Sequence, residues 1–234
     1  MMMIYPGIVS QEKGMGTMRH GNNRDMDQCI QILTHDTADA TAELYTRVFL
    51  EDEPMTRHHG INPEEFLPCA REYLHFCADQ ELSFIAVDRE TRQVVAFVLG
   101  SDLTTDLYSV GPGMVTLLSF FRESMEIIEE LESRCPDISN VKPGKVFHLF
   151  QIGTHCDYRR YGLVTNLIRL SLSRAADRGF VKAVAECTGS ISRHTCERCG
   201  FHCAAYIRYD DFITGGKAFF AGLPGGISLM IRDI

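Results

Sequence analysis

The chain has 234 residues, with 23 Lys and Arg against 31 Asp and Glu, a formal charge of −8. Apolar residues make up 45% and charged residues 23%, ordinary globular usage that excludes global disorder. The acidic balance argues against binding a nucleic-acid backbone and mildly favours a cationic small substrate, and no uncharged apolar run nears the ~18 residues of a membrane helix.

At about 150 residues per domain, the length predicts one large domain or two small ones. The nine cysteines are odd in number and irregularly spaced. Met1–Ser10 has no basic segment followed by a long apolar run, so a secretory leader is not expected, and reduced thiols in the cytoplasm are. Residues 1–27 are rich in Met, Gly and Asn without periodicity and read as a flexible leader. Residues 28–234 read as a single domain.

Cys29–Thr34 predicts a first strand. Asp36 or Thr37 then caps a helix to Phe49, with Ala40, Leu44 and Val48 on one stripe. Glu51-Asp52-Glu53-Pro54 ends it, because proline disfavours a helical residue before it. His58 and His59 fall on a mobile loop. Asn62-Pro63-Glu64-Glu65 opens a helix to about Ala78 with a cap, a proline at the first position and an acidic first turn. Ser83–Asp88 and Gln93–Leu99 form a hairpin. Thr104–Gly113 is a turn-rich loop. Met114–Arg134 predicts one long helix, with the acidic run Glu123–Glu132 as its solvated face. Val146–Thr154 is a strand, Gly162–Arg178 a helix, Val181–Cys187 a strand, Ser192–Cys199 a short helix, and His202–Tyr209 and Ile227–Arg232 two closing strands. Early hairpins and late strand–helix–strand units predict an α/β domain of α+β type on a mixed sheet.

The most informative stretch runs from Val146 through Thr154 to His155-Cys-Asp-Tyr-Arg-Arg-Tyr-Gly-Leu-Val-Thr165. A buried strand feeds a basic turn that opens a helix, whose first N–H groups are unpaired and carry partial positive charge. Gly162 allows close backbone approach, and Arg159 and Arg160 can grip phosphate oxygens. Read as residues alone, this is either an anion site or an ordinary strand–helix turn with two surface arginines. The P-loop and dinucleotide-binding glycine patterns are absent.

The order R-x-x-G-x-V at Arg159–Val164 resembles the acyl-CoA pyrophosphate loop of the GNAT N-acetyltransferases, usually R/Q-x-x-G-x-G/A. Val164 stands where the family has a small residue. Phe49-Leu-Glu-Asp-Glu-Pro-Met55 is similar to the D-E-P-L segment of the insect arylalkylamine (dopamine) N-acetyltransferases. Cys187-Thr-Gly-Ser-Ile-Ser192, followed by Glu197-Arg-Cys-Gly-Phe201, resembles their serine-bearing stretch and its G-F ending, and Gly226–Ile231 resembles their last strand. The likeness runs from Cys29 to Ile234. It implies the GNAT fold, a mostly antiparallel mixed sheet splayed at its centre and flanked by helices, and direct acetyl transfer from acetyl-CoA to an amine.

The resemblance also implies roles. The backbone of Ile152, Gly153 and Thr154 would pair with the pantetheine arm. Arg159, Arg160, Tyr161, Gly162, Leu163, Val164 and Thr165 would hold the diphosphate. An alkyl amine with a pKa of ~10.4 is about one part in a thousand neutral at pH 7, a deficit of about 4–5 kcal/mol that a base relieves. The family's base falls on Glu53, whose neighbour Asp52 could raise its pKa by like-charge repulsion. The same run also reads as a solvated acidic loop. Thr188 and Ser192 align with two family serines that assist proton transfer, while Ser190 or Ser192 also suits a helix cap. Cys196 falls where other relatives place a tyrosine acid, though it equally reads as a packing cysteine. Tyr206 is a further candidate acid. The family's arylethylamines (dopamine, tyramine, octopamine, serotonin, tryptamine) need apolar walls, for which Phe49, Met55, Met114, Phe120, Phe121, Phe147 and Phe219 are available.

No metal is expected. The run from His194 to Cys203 lacks zinc-site spacing, and His148 and His155 read as structural. The expected partners are acetyl-CoA and a small amine, with no nucleic acid or membrane, in a monomer or weak dimer. Two rivals stand beside the arylalkylamine reading: a polyamine or other small-amine acetyltransferase, and a catalytically silent acyl-CoA-binding module.

Overall fold

A computed structural model describes residues 28–234; the leader expected at 1–27 lies outside them. Apolar alternation dictates the strands. Phe97 and Leu99 face one core cluster while Ala96 and Val98 face another, as a period of two requires for a sheet covered on both faces. The strands are β1 (Gln28–Ile32), β2 (Phe84–Asp88), β3 (Val94–Asp102), β4 (Val146–Thr154), β5 (Lys182–Cys187), β6 (His202–Arg208) and β7 (Gly226–Asp233). They form one seven-stranded sheet in the order β1-β2-β3-β4-β5-β7-β6. Neighbours are antiparallel except β4 and β5, which run parallel.

The helices are α1 (His35–Asp52), α2 (Pro54–His59), α3 (Pro63–Gln80), α4 (Pro112–Phe120), α5 (Arg122–Ser133), α6 (Leu163–Asp177) and α7 (Ser190–Arg198). On one face α6 packs on β2, β3 and β4, and α7 on β5 and β7. On the other face α1 and α3 lie over β3, and α5 over β6 and β7.

Five expectations change. Thr34, not Asp36 or Thr37, is the N-cap of α1, and Thr37 closes the capping box. The buried arc of that helix is Ala38, Thr41, Ala42, Tyr45 and Val48 with Leu44, whereas Ala40 is exposed. A row of fourth residues drifts ~40° per step, so Ala40 falls off the apolar arc. His58 and His59 end a helix, α2, rather than sitting on a mobile loop. The long helix is two, broken at Phe121 (φ −110°, ψ 24°). The break follows the partners, because α4 packs on α3 whereas α5 packs on β6 and β7. Finally, the acidic face of α5 is not wholly solvated: the Glu123 side chain is 18% exposed and Glu132 is half-buried.

Candidate active site

The site begins where two strands part. β4 pairs with β3 from Phe147 to Thr154, but with β5 only at Val146, Phe147 and His148. From Leu149 to Thr154 the β5-facing edge has no strand partner among the described residues. A bulge opposite Leu99 and Gly100 interrupts β4 here, turning backbone groups off the ladder. The result is a wedge whose one wall is a free strand edge, including Ile152, Gly153 and Thr154. At Gly153 a Cβ would lie 2.3 Å from the Phe97 ring of β3 and 3.1 Å from Val48 Cγ1 of α1, so glycine here lets β4 close on both.

The edge leads into the basic turn. His155 Nδ1 accepts the Asp157 N–H at 3.2 Å and caps a 3₁₀ turn, Cys156–Tyr158. Arg160 (φ 72°) and Gly162 (φ 73°) are both left-handed, reversing the chain into α6. No side chain caps α6, and nothing lies within 4 Å of a Cβ built at Gly162. The N–H groups of Leu163, Val164 and Thr165 therefore form an open anion cradle. Leu163 and Thr165 are only 6% and 8% exposed, so they can offer backbone alone. Val164 packs against the core below α6, so its extra bulk turns inward. Arg160 and Tyr161 are exposed. Arg159 reaches back: its Nε donates to the Thr154 carbonyl at 3.4 Å and its Nη2 pairs with Asp52. Asp52 is thus ion-paired with a guanidinium of the basic turn.

Glu53 turns the chain from α1 into α2. Its carboxylate accepts the Met55 N–H at 3.1 Å, the Thr56 N–H at 2.6 Å and the Thr56 hydroxyl at 2.5 Å, so its orientation is fixed. The corner after β5 lies beside it, since a Cβ at Gly189 would sit 3.9 Å from Pro54 Cγ. The buried Tyr209 hydroxyl donates to the Thr188 carbonyl at 2.6 Å. Burial and then the nearby charge of Glu53 push that phenol well above its usual range. Ser192 donates to the Gly189 carbonyl at 3.0 Å. Gly189, without a side-chain cap, is the N-cap of α7, so neither Ser190 nor Ser192 caps it.

The sequence profile of the acetyltransferase (GNAT) family matches residues 43–201, a span holding the wedge, the turn and Glu53. The chain belongs to the acetyltransferase (GNAT) family. Its activity is acetyl transfer, and acetyl-CoA is the family's donor. No curated protein matches the chain. Among solved structures it is similar to arylalkylamine N-acetyltransferase 2 of Aedes aegypti (TM-score 0.74, 20% identity, 89% of this chain and 99% of that one). It is similar also to polyamine N-acetyltransferase of Drosophila melanogaster (0.66, 16%, 89% and 100%). A third is a putative acetyltransferase of Salmonella typhimurium solved with acetyl-CoA (0.52, 13%, 88% and 94%). At these identities the likeness is one of fold.

The acetyltransferase carries a polar cluster at the closed end of its wedge, where β4 and β5 part. His148 Nε2 bonds Glu186 Oε2 at 2.6 Å, with side chains 11% and 3% exposed. The Glu186 Oε1 has no hydrogen-bond partner among the described residues, nor does Gln151 Oε1. Burial pushes the His148 imidazole down, but the charge and hydrogen bond of Glu186 override it and the net shift is upward. Burial, then the Glu186 charge, raises the Glu132 carboxyl to about 7. Neither Glu186 nor Tyr209 stands out in the sequence; a charged residue inside the apolar run Val181–Cys187 was the one available signal.

Other candidates are placed elsewhere. Cys196 is buried with its thiol 3.6 Å from that of Cys187, a packing cysteine of the acetyltransferase core. Tyr206 is 41% exposed. Phe147 lies on the α6 face, beside Phe180, and Met114 is sealed between α3 and α4, so neither walls an acceptor site beside Glu53. Phe121 and Phe219 pack on His59 of α2, with ring centroids 5.6 and 5.3 Å from the imidazole. Burial lowers the His59 pKa against the pull of Glu123. Of possible metal donors, His155, Cys156 and Asp157 lie within 4.8 Å of one another, but His155 Nδ1 is already spent on the Asp157 N–H. Among the described residues, no helix is long and apolar enough to cross a membrane.

Proposed function

We propose that the chain acetylates a small primary amine of the arylalkylamine class by direct transfer. The observation that carries this reading is the free edge of β4 running into an uncapped helix N-terminus, with Glu53 held at the neighbouring corner. Ile152–Thr154 receive the donor's amide arm by strand addition. Arg159, Arg160 and Tyr161, with the backbone from Gly162 to Thr165, hold its diphosphate. Bound acetyl-CoA supplies the thioester carbonyl. Glu53 accepts the proton that the acceptor's ammonium must lose, and Thr188 and Ser192 hydroxyls pass a proton to the departing thiolate. The rings about Glu53 and α2 (Tyr45, His59, Phe121, Tyr209 and Phe219) support an aromatic acceptor, and nine unpaired thiols suit a reducing cytoplasm.

One observation favours a second acceptor class. The spare oxygen of buried Glu186 suits a second ammonium, as in a polyamine. An amine panel with thiol-release detection tests both. Turnover of tyramine or dopamine above putrescine and agmatine is expected; the reverse order selects polyamines, and no thiol release with any amine removes the enzyme reading of this site.

A further inference from the structure

Away from the wedge, three arginines from distant parts of the chain converge. A hollow of about 500 Å³ is bounded by Arg169 on α6, Arg198 at the end of α7, and His202 and Arg232 on the two last strands. That volume lies within the range of small-molecule sites. Cys199 and Gly200 form its floor. Gly200 (φ +85°) takes a left-handed turn beside the Arg232 guanidinium, whose Nη1 would lie 3.4 Å from a Cβ there. Arg232 Nη1 donates to the Cys199 carbonyl.

Several arginines elsewhere are paired: Arg193 with Glu197 at 3.0 Å, Arg174 with Glu81 at 3.0 Å, Arg208 with Asp210 at 3.5 Å. Among the described residues, Arg169, Arg198 and Arg232 pair with no carboxylate. What marks the hollow is three such cations around one cavity. Asp233, the acid on the rim, faces Lys182 at 3.8 Å. The three guanidiniums act on one point: burial pushes the buried Cys199 thiol up, and the charges of Arg169, Arg232 and Arg198 oppose that rise. Three guanidiniums around one hollow, none of them ion-paired among the described residues and with Asp233 on the rim facing Lys182, repel one another in a chain of net charge −8, and an anion relieves that repulsion. Guanidinium forks match phosphate oxygens in pairs. We propose that this hollow is a second ligand site, for a small anion bearing several phosphate groups. It is not the diphosphate turn: Arg169 lies roughly 10 Å along α6 from Gly162 at 1.5 Å per residue.

The test uses the whole chain saturated with CoA, which occupies the donor site, and titrates inorganic tripolyphosphate and ATP by calorimetry. Saturable binding of either is expected, weakening steeply with salt. If tripolyphosphate suffices, the phosphate chain alone is recognised; if only ATP binds, a nucleoside is read as well. The exposed pair Arg169→Ala/Arg198→Ala should keep its circular dichroism spectrum and lose at least ~10-fold in affinity, and Arg198→Lys should fall between. In the absence of anion, Arg198→Ala should melt no lower than the native chain, since it removes repulsion. Absence of binding, equal binding by the double alanine variant, or binding seen only without CoA overturns the proposal. The last outcome would assign the arginines to the donor's own phosphates.

Discussion

At the scale of single residues, Glu53 does two jobs that substitution can separate. As the cap of α2 it satisfies two backbone donors, and loss of such a cap costs about 1 kcal/mol. As the proposed base it carries catalysis worth ~10²–10⁴ in rate. Glu53→Ala should therefore lose activity by that factor and also melt lower. Glu53→Gln, which retains an acceptor oxygen, should recover much of the melting temperature and none of the rate. An unaltered pH–rate profile in Glu53→Gln would remove this carboxylate from the proton path. His148 and Glu132 make a second residue-scale prediction. Both have folded-state pKa values above their unfolded ones, Glu132 at about 7 against 4.5 and His148 shifted upward from 6.5. Each therefore contributes stability that is full below its unfolded value and is lost as pH rises through its folded value. Their joint contribution to the melting temperature should fall between pH 5 and 8, against the opposite slope of His59, so Glu132→Gln should make the melting temperature fall less, or rise more, over the lower part of that window than in the native chain. The same pH dependence of melting in Glu132→Gln and the native chain would refute the inward placement of Glu132.

At the scale of elements, the turn into α6 separates backbone strain from ligand access. Gly162 sits at φ +73° with nothing within 4 Å of a Cβ, so Gly162→Val meets no clash but adopts a left-handed conformation costing ~1–2 kcal/mol. Its methyls would also stand over the free N–H groups. CoA affinity should drop at least ~10-fold by titration, whereas Gly162→Asn, tolerant of that conformation, should lose less stability. Equal CoA affinity in Gly162→Val would mean that the cradle lies elsewhere. This turn was legible in the sequence because its grammar is local: an apolar strand, a glycine at the helix start and arginines within three positions. Asn62 was legible as a cap for the same reason, and its Oδ1 does accept the Glu64 N–H at 2.9 Å. The break at Phe121 was not, because Met114–Arg134 is helical by local preference throughout and only a change of packing partner divides it. Nor was the His148–Glu186 bond, whose partners are 38 residues apart and meet only when β4 and β5 lie side by side. The arginine hollow was hidden twice over, by sequence distance and by an acidic total that hides a local excess of positive charge.

At the scale of the whole molecule, the sheet is nearly two sheets. β1 to β4 form one antiparallel block and β5 to β7 another, joined in the ladder only at Val146, Phe147 and His148. The helix α6 crosses between them, with its N-terminus at the open end of the wedge. A ligand whose amides fill the free β4 edge would restore the missing ladder and tie the two blocks together. Because it binds only the folded arrangement, it should raise stability by RT ln(1 + [L]/Kd), about 2.7 kcal/mol at a hundredfold excess over Kd. A generic ligand does as much, so the global shift alone decides nothing about where it binds. Local hydrogen exchange does. Amides in the segment from Gln151 to Thr154 that face β5 should exchange through small local openings without ligand and slow markedly with CoA. Amides of β1 and β2, already paired and remote from the wedge, should slow only by the global amount. Uniform protection along the chain would place the donor somewhere other than this strand edge, and the catalytic roles assigned around Glu53 would then lose the carbonyl they serve.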